Sequence, residues 1–318
     1  MPDTIPRIGF GLWKIPREDT ANAVFEAVRA GYRHFDSAAD YGNEKETGEG
    51  IARAISEGLV MREDLWITSK LWNTFHAPEY VEEGACKSLD DLGIEYLDLY
   101  LIHFPIALEY VPISERYPPE WLSNPEADQP AMKPAAVPLH QTWMAMEALV
   151  DKALVNRIGV CNYNSALLHD LMTYARVKPS MLQIEAHPYL TQDRLIRLAK
   201  DYGMDVTAFS PLGAQSYFEL EMADRQESLL GAAPVMVAAA AHGKTPPQVL
   251  LRWGVQRGTA IIPKTTRPER MIENLDVQDF ELSAVEMAAI SALNQNRRFN
   301  DPGTFAEAAF GRFHPIYD

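Results

Sequence analysis

The sequence predicts an α/β protein of the (β/α)8, or TIM-barrel, class with long loops at the C-terminal face. Three observations carry that expectation. Eight short runs rich in β-branched and aromatic residues are apolar throughout rather than alternating, as strands covered on both faces are. Segments with apolar residues at helical spacing lie between them. The chain has 318 residues, a length that one large barrel uses in full and that two ordinary domains would also use. An open doubly wound sheet shares the alternation, and strand counting alone does not separate the two architectures.

The strand runs, in order, are residues 8–12, 33–37, 65–70, 97–103, 157–162, 182–187, 206–211 and 260–264. The first helix is expected over 18–30, where Ala21, Val24, Phe25 and Val28 share a face and Gly31 suits the C-cap. Further helices are expected over 44–56, 78–92, 139–151, 165–175, 192–202, 235–241 and 268–275. Asp64, Asn164 and Thr191 stand just outside elements as turn or cap residues. Three connections exceed ordinary loops. Residues 105–138 carry eight of the 22 prolines, 213–233 are mixed and acidic, and 294–318 form an irregular tail. Long segments of this kind in a compact fold are usually functional, and barrels keep their sites at the C-terminal face. The whole chain, 1–318, reads as a single barrel domain.

Composition narrows the function. The chain is 47% hydrophobic and 23% charged, enough apolar material for a large core and too much for a disordered chain. Its 29 basic and 44 acidic residues give a net charge of −15, which argues against nucleic acid or an anionic membrane as partner. The longest apolar run, residues 232–241, falls well short of a bilayer span. No basic-then-apolar leader opens the chain, and two cysteines, Cys86 and Cys161, form no CxxC pair. A reducing cytoplasm is the expected compartment.

Absent motifs narrow it further. No GxGxxG follows a strand, and GxxxxGK[ST], HExxH, HxH and GxSxG are all missing. Dinucleotide binding of Rossmann type, metal-dependent hydrolysis and acyl-enzyme chemistry therefore lack support, and no metal ligands are assigned. What remains is convergence at strand ends: Asp36, Lys70, His103, Asn162, Gln183, Ser210 and Lys264, with Tyr41 five residues beyond Asp36. Taken singly, a strand-end Asp–Lys pair is a structural ion pair, and a His after an apolar run is a core residue. Four groups arriving on one rim point instead to proton transfer. Lys70, held by Asp36, is expected to lower the Tyr41 phenol from its usual pKa of about 10 and make it a usable acid.

The chain resembles the aldo-keto reductase superfamily. The resemblance rests on Gly9-Phe10-Gly11-Leu12-Trp13-Lys14, Tyr32-Arg33-His34-Phe35-Asp36-Ser37-Ala38, Tyr41-Gly42-Asn43-Glu44, Thr68-Ser69-Lys70-Leu71-Trp72 and Leu101-Ile102-His103-Phe104-Pro105. Gly159-Val160-Cys161-Asn162-Tyr163, Leu182-Gln183-Ile184-Glu185-Ala186-His187-Pro188 and Ile262-Pro263-Lys264 extend it. Within the superfamily it is most similar to xylose reductases, through residues 40–46, Val111-Pro112-Ile113, Tyr117-Pro118-Pro119, 213–216 and Arg298-Phe299-Asn300-Asp301-Pro302.

That resemblance implies NAD(P)H-dependent reduction of an aldose such as xylose to the alditol. It implies a tetrad of Asp36, Tyr41, Lys70 and His103, with Tyr41 as general acid and His103 orienting the carbonyl oxygen. Asn162 and Gln183 would hold the nicotinamide carboxamide and Phe209 would stack beneath the ring. Ser210, Leu212 and Gln215 would meet the pyrophosphate. Lys264, Thr265, Thr266 and Arg270 would grip the 2′-phosphate, with Glu273 and Asn274 beside the adenine. Glu219 would contact the ribose hydroxyls when the phosphate is missing, so NADH joins NADPH among the expected cofactors. Trp13, Asp40, His103, Phe104 and Asn300 would surround the sugar. A homodimer is implied as well.

Five departures bear on these expectations. Gly303 stands where xylose reductases carry Trp, which predicts an open pocket wall. Phe209 replaces Tyr, Cys161 replaces Ser beside the nicotinamide, and Thr266 replaces Asn. The N-terminus is about a strand short, which predicts an incompletely plugged barrel base. Two alternatives stay open: a broad-specificity aldehyde or ketone reductase (diketone or keto-ester) of the same superfamily, and a cofactor-binding regulatory subunit with negligible turnover.

Overall fold

The computed structural model describes residues 4–317; the first three residues and the last one of the expected domain lie outside them. Eight strands run in parallel: β1 (Phe10–Gly11), β2 (His34–Asp36), β3 (Trp66–Leu71), β4 (Leu99–Ile102), β5 (Ile158–Cys161), β6 (Met181–Glu185), β7 (Asp205–Phe209) and β8 (Ala260–Ile261). Each pairs with its neighbour in sequence order. The ends meet: Gly9 N–H donates to Ile261 O (2.8 Å), Ile261 N–H to Arg7 O (2.9 Å) and Gly11 N–H to Pro263 O (3.0 Å). The sheet is thus closed, which decides for the barrel and against the open sheet.

Strands are shorter than the apolar runs, and at β5 and β7 the reason is local. Asn162 and Ser210, next after β5 and β7, adopt left-handed backbone (φ 63° and 49°), which ends the ladder and turns those side chains onto the rim.

Helices α1 (Arg17–Ala30), α2 (Glu44–Ser56), α3 (Pro78–Leu92), α4 (Leu139–Asp151), α5 (Ser165–Tyr174) and α6 (Asp193–Asp201) follow the first six strands. Gly31 closes α1 with φ 115°, and the Asn164 side chain accepts from Leu167 N–H to cap α5. Two helices separate β7 from β8. The expected 235–241 segment lies inside α7 (Ala233–His242), but the helix against β8 is α8 (Pro246–Gln256), which periodicity alone passed over. Its start is marked by a capping box from Thr245 to Gln248 with Pro at the first position. After α9 (Pro268–Leu275), a second unread helix, α10 (Ala284–Ser291), opens on a Ser283–Glu286 box.

The barrel base is filled. Ile5 is buried among Trp66, Leu99, Leu101, Met181 and Ala260, residues at or near the strand starts. Ile5 thus covers the starts of these strands.

Candidate active site

Chemistry collects where strand ends meet the three long segments. Lys70, at the end of β3, is fully buried and uses all three ammonium protons. It donates to Asp36 Oδ1 (2.6 Å), to the Ser37 carbonyl (2.7 Å) and to the Tyr41 hydroxyl (3.0 Å). Asp36, closing β2, accepts with its other oxygen from Gln183 Nε2 (2.6 Å). Every charge in this knot has a partner, as burial requires. The turn of residues 39–41 and Gly42 (φ 70°) place Tyr41 over the ammonium.

Burial pulls the Lys70 ammonium down, and Asp36 followed by Tyr41 more than restores it, so the group stands above its ordinary value and stays charged. The expectation for Tyr41 is overturned. Burial pushes its phenol above the ordinary value; Lys70 pulls against that without cancelling it, and Asp36 and Asp40 add to the rise. A charge 3.0 Å away does not compensate for the solvation a phenolate would lose here. The phenol therefore carries its proton at neutral pH.

His103, just past β4, completes the group. Its ring centre is 5.9 Å from that of Tyr41 and crosses it at 75°. Trp72 and Phe104 flank it, with ring centres 5.3 and 5.0 Å away. Asp40 Oδ1 lies 3.1 Å from His103 Nδ1, but the alignment is too poor for a hydrogen bond.

These groups form one end of a cavity of about 880 Å³. Of the residues singled out in the sequence, Trp13, Asp36, Asp40, Tyr41, His103, Phe104, Asn162, Gln183, Phe209, Ser210, Leu212, Gln215, Glu219, Lys264, Thr265, Arg270, Glu273, Asn274 and Asn300 line it. Lys70 lies beneath the lining and reaches it through Tyr41. Thr266 is exposed and is not among the lining residues. Cys161, the last residue of β5, does not line the cavity; it is buried within the barrel, close enough to feel Lys70 and Asp36.

Glu219 and Gln215 are among the expected ligand contacts that also have partners within the protein. Glu219 pairs with Lys14 (3.2 Å), whose ammonium also donates to the Ser216 carbonyl (2.8 Å). Gln215 Nε2 donates to Ser228 Oγ (2.9 Å). Residues 213–231 are thereby strapped across the cavity to the β1 end. The Gly303 expectation is corrected too. A Cβ there would stand 2.8 Å from Pro315 Cα, so the tail covers the spot where a Trp was expected. An aromatic wall comes instead from Trp121 and Phe305, whose ring centres are 5.7 Å apart and which both line the cavity. Trp121 sits in an irregular loop and Phe305 ends a four-residue helix, both too short of pattern for periodicity to reveal them.

The cavity's far end suits an anion. Burial, then neighbouring Lys14, hold the Lys264 ammonium below its ordinary value, and Glu219 only partly counters them. A phosphate would relieve that repulsion. Arg270, in the first turn of α9, has no ion-pair partner among the described residues, and Thr265 Oγ1 accepts the Arg267 N–H (3.1 Å) to shape the turn into that helix. Extended, polar at one end and aromatic at the other, the cavity fits a nicotinamide dinucleotide phosphate. Among the described residues no helix is long and apolar enough to cross a membrane.

A family model described as the Aldo/keto reductase family matches residues 7–295. A probable NAD(P)H-dependent D-xylose reductase of Arthroderma otae is 52% identical over 303 residues, covering 95% of this chain and 91% of that one. A protein of the same description from Aspergillus clavatus is 52% identical over 321 residues, covering 98% and 96%. Among solved structures, the aldose reductase of Schistosoma japonicum superposes with a TM-score of 0.86 at 36% identity, covering 99% and 96%. An aldo-keto reductase of Bombyx mori in complex with NADP gives 0.82 at 34%, covering 94% and 92%.

Proposed function

This chain belongs to the aldo/keto reductase family, and we propose that it reduces an aldose of the xylose type to its alditol, with NADPH and also NADH as reductant. The observation that carries the reading is the buried Asp36–Lys70–Tyr41 knot, opening beside His103 at the foot of a cavity whose far end is cationic. The names of the fungal relatives support the sugar, and the Bombyx mori complex supports the cofactor.

When bound, the reduced nicotinamide supplies the hydride that the carbonyl carbon accepts. The protein's part is to receive the oxygen. Tyr41 holds a proton at its hydroxyl and gives it to that oxygen as negative charge develops there. The phenolate left behind is stabilised by the Lys70 ammonium at 3.0 Å, which Asp36 keeps in place. His103 lies across the Tyr41 ring and orients the same oxygen. Asn162 and Gln183 would bind the carboxamide, Phe209 would support the ring, and Ser210, Leu212 and Gln215 would take the pyrophosphate. Lys264, Thr265 and Arg270 would hold the 2′-phosphate, with Glu273 and Asn274 at the adenine. Trp13, Asp40, Phe104 and Asn300 receive the sugar; aromatic faces keep water from the hydride path, and polar ends read hydroxyls.

A second reading, a broad aldehyde or ketone reductase, is favoured by the Trp121–Phe305 wall, which adds apolar surface beside the polar groups. One assay separates the two: NADPH oxidation with xylose and with an aromatic aldehyde. A higher kcat/KM for the aldehyde, with xylose barely turned over, replaces the sugar reading by the second. Oxidation of neither substrate removes both. The reading includes a cytoplasmic location, consistent with the two unpaired cysteines, and a homodimer, which sedimentation would test.

A further inference from the structure

Tyr317 lies far along the chain from every strand end, yet it touches one of the rim residues. Its hydroxyl donates to Asn162 Oδ1 (2.9 Å). On the other side Asn162 Nδ2 donates to the His103 carbonyl (2.8 Å). Asn162 is 2% exposed, and its left-handed backbone is the kind of local strain that persists where a side chain must point one way. An asparagine amide has two N–H donors and two lone pairs on oxygen. His103 and Tyr317 take one of each. One donor and one lone pair remain on an amide that lines the cavity, and they complement a primary carboxamide.

Two features bring Tyr317 there. Gly303 has no Cβ to obstruct Pro315, so the tail passes close over the short helix of Pro302–Phe305. The Arg298 guanidinium then lies over the Tyr317 ring, 3.5 Å from its centre. Burial raises the Tyr317 phenol above its ordinary value, which keeps it a neutral donor. The residue that replaces the expected Trp is thus the one that lets the tail reach the rim.

We propose that Tyr317 is a positioning residue for the nicotinamide end of the cofactor: its hydroxyl holds the Asn162 amide in the orientation that reads the carboxamide. The inference rests on the reading of Asn162 given above. It makes the end of the chain part of the cofactor site, although Tyr317 itself does not line the cavity.

The test compares NADPH with 2′,5′-ADP, which has the adenosine phosphate end and no nicotinamide. Tyr317→Phe keeps the ring beneath Arg298 and removes one donor. Its dissociation constant for NADPH should rise about three- to tenfold, the worth of one ordinary hydrogen bond, with 2′,5′-ADP binding and the melting temperature unchanged. Gly303→Ala, which displaces Pro315, should produce the same selective loss in the native chain and little more in the Tyr317→Phe background. Unchanged NADPH binding in Tyr317→Phe overturns the inference, as does an equal weakening of both ligands with a lower melting temperature. Asn162→Asp keeps the two failures apart. If it weakens NADPH selectively and Tyr317→Phe does not, the inference alone falls. If Asn162→Asp is not selective either, the reading of Asn162 falls with it.

Discussion

Lys70 shows how little freedom the reacting groups have. With its three protons directed to Asp36, Ser37 and Tyr41, it cannot turn toward substrate, and its effect on the reaction passes through the phenol. Tyr41→Phe should therefore lower kcat by about 10² to 10⁴ while NADPH still binds, because the ring and its packing survive. Near-native turnover in that variant is incompatible with Tyr41 as the acid. At the other end of the cavity, Lys264 and Arg270 carry the positive charge expected to read a 2′-phosphate. Neutralising both should raise the KM for NADPH far more than that for NADH. Equal increases would assign them to some other part of the ligand. Asp36, Lys70, His103 and Asn162 were legible as candidates because several polar groups end apolar strands on one rim, and Tyr41 because it follows Asp36 by five residues. The elevated Tyr41 phenol was not, since its direction depends on how completely the folded chain excludes water.

Among the elements, α1 to α6 followed from hydrophobic spacing, and α2, α3, α4 and α9 have the ends expected from it. Of the helices passed over, the two longest, α8 and α10, announced themselves through capping boxes, a signal carried by four residues and invisible to a search for apolar stripes. Packing between helices adds a constraint that no single segment displays. Gly48 sits in α2 where a Cβ would collide with the backbone of Leu92, the last residue of α3. Backbone cannot yield as a flexible side chain does, so Gly48→Ala should destabilise the protein by about 1–3 kcal/mol and lower the melting temperature, despite alanine's better helix propensity. An unchanged or higher melting temperature in a thermal scan would show that the two helices separate at no cost.

For the molecule as a whole, buried titratable groups set the pH range of stability. Glu44, buried between Ser69 and α3, has its carboxyl pushed up to about 7, chiefly by burial. The folded state therefore holds that proton more tightly than the unfolded chain. Its contribution is complete below the ordinary carboxyl value and is lost as pH rises toward about 7. His34 behaves oppositely: burial lowers it to about 4, so its contribution is complete above the ordinary imidazole value and is lost as pH falls toward about 4. Glu44→Gln removes the first effect. Its melting temperature relative to the native chain should rise progressively between about pH 5 and about pH 8, and a difference independent of pH would mean that Glu44 does not titrate in that range. The negative total charge also coexists with a local cationic end of the cavity, formed by Lys14, Lys264 and Arg270 from three separate stretches.

What the sequence determined by itself was periodic or local: eight apolar strands, most of the helices, the polar residues that end the strands, and motifs dense enough to identify the family. These properties reside in the spacing of neighbours along the chain. Closure of the barrel, the filled base, the wall of Trp121 and Phe305, the tail lying over Gly303 and the raised phenol were decided only in three dimensions. Each depends on residues distant in sequence meeting, and on the water they exclude when they do.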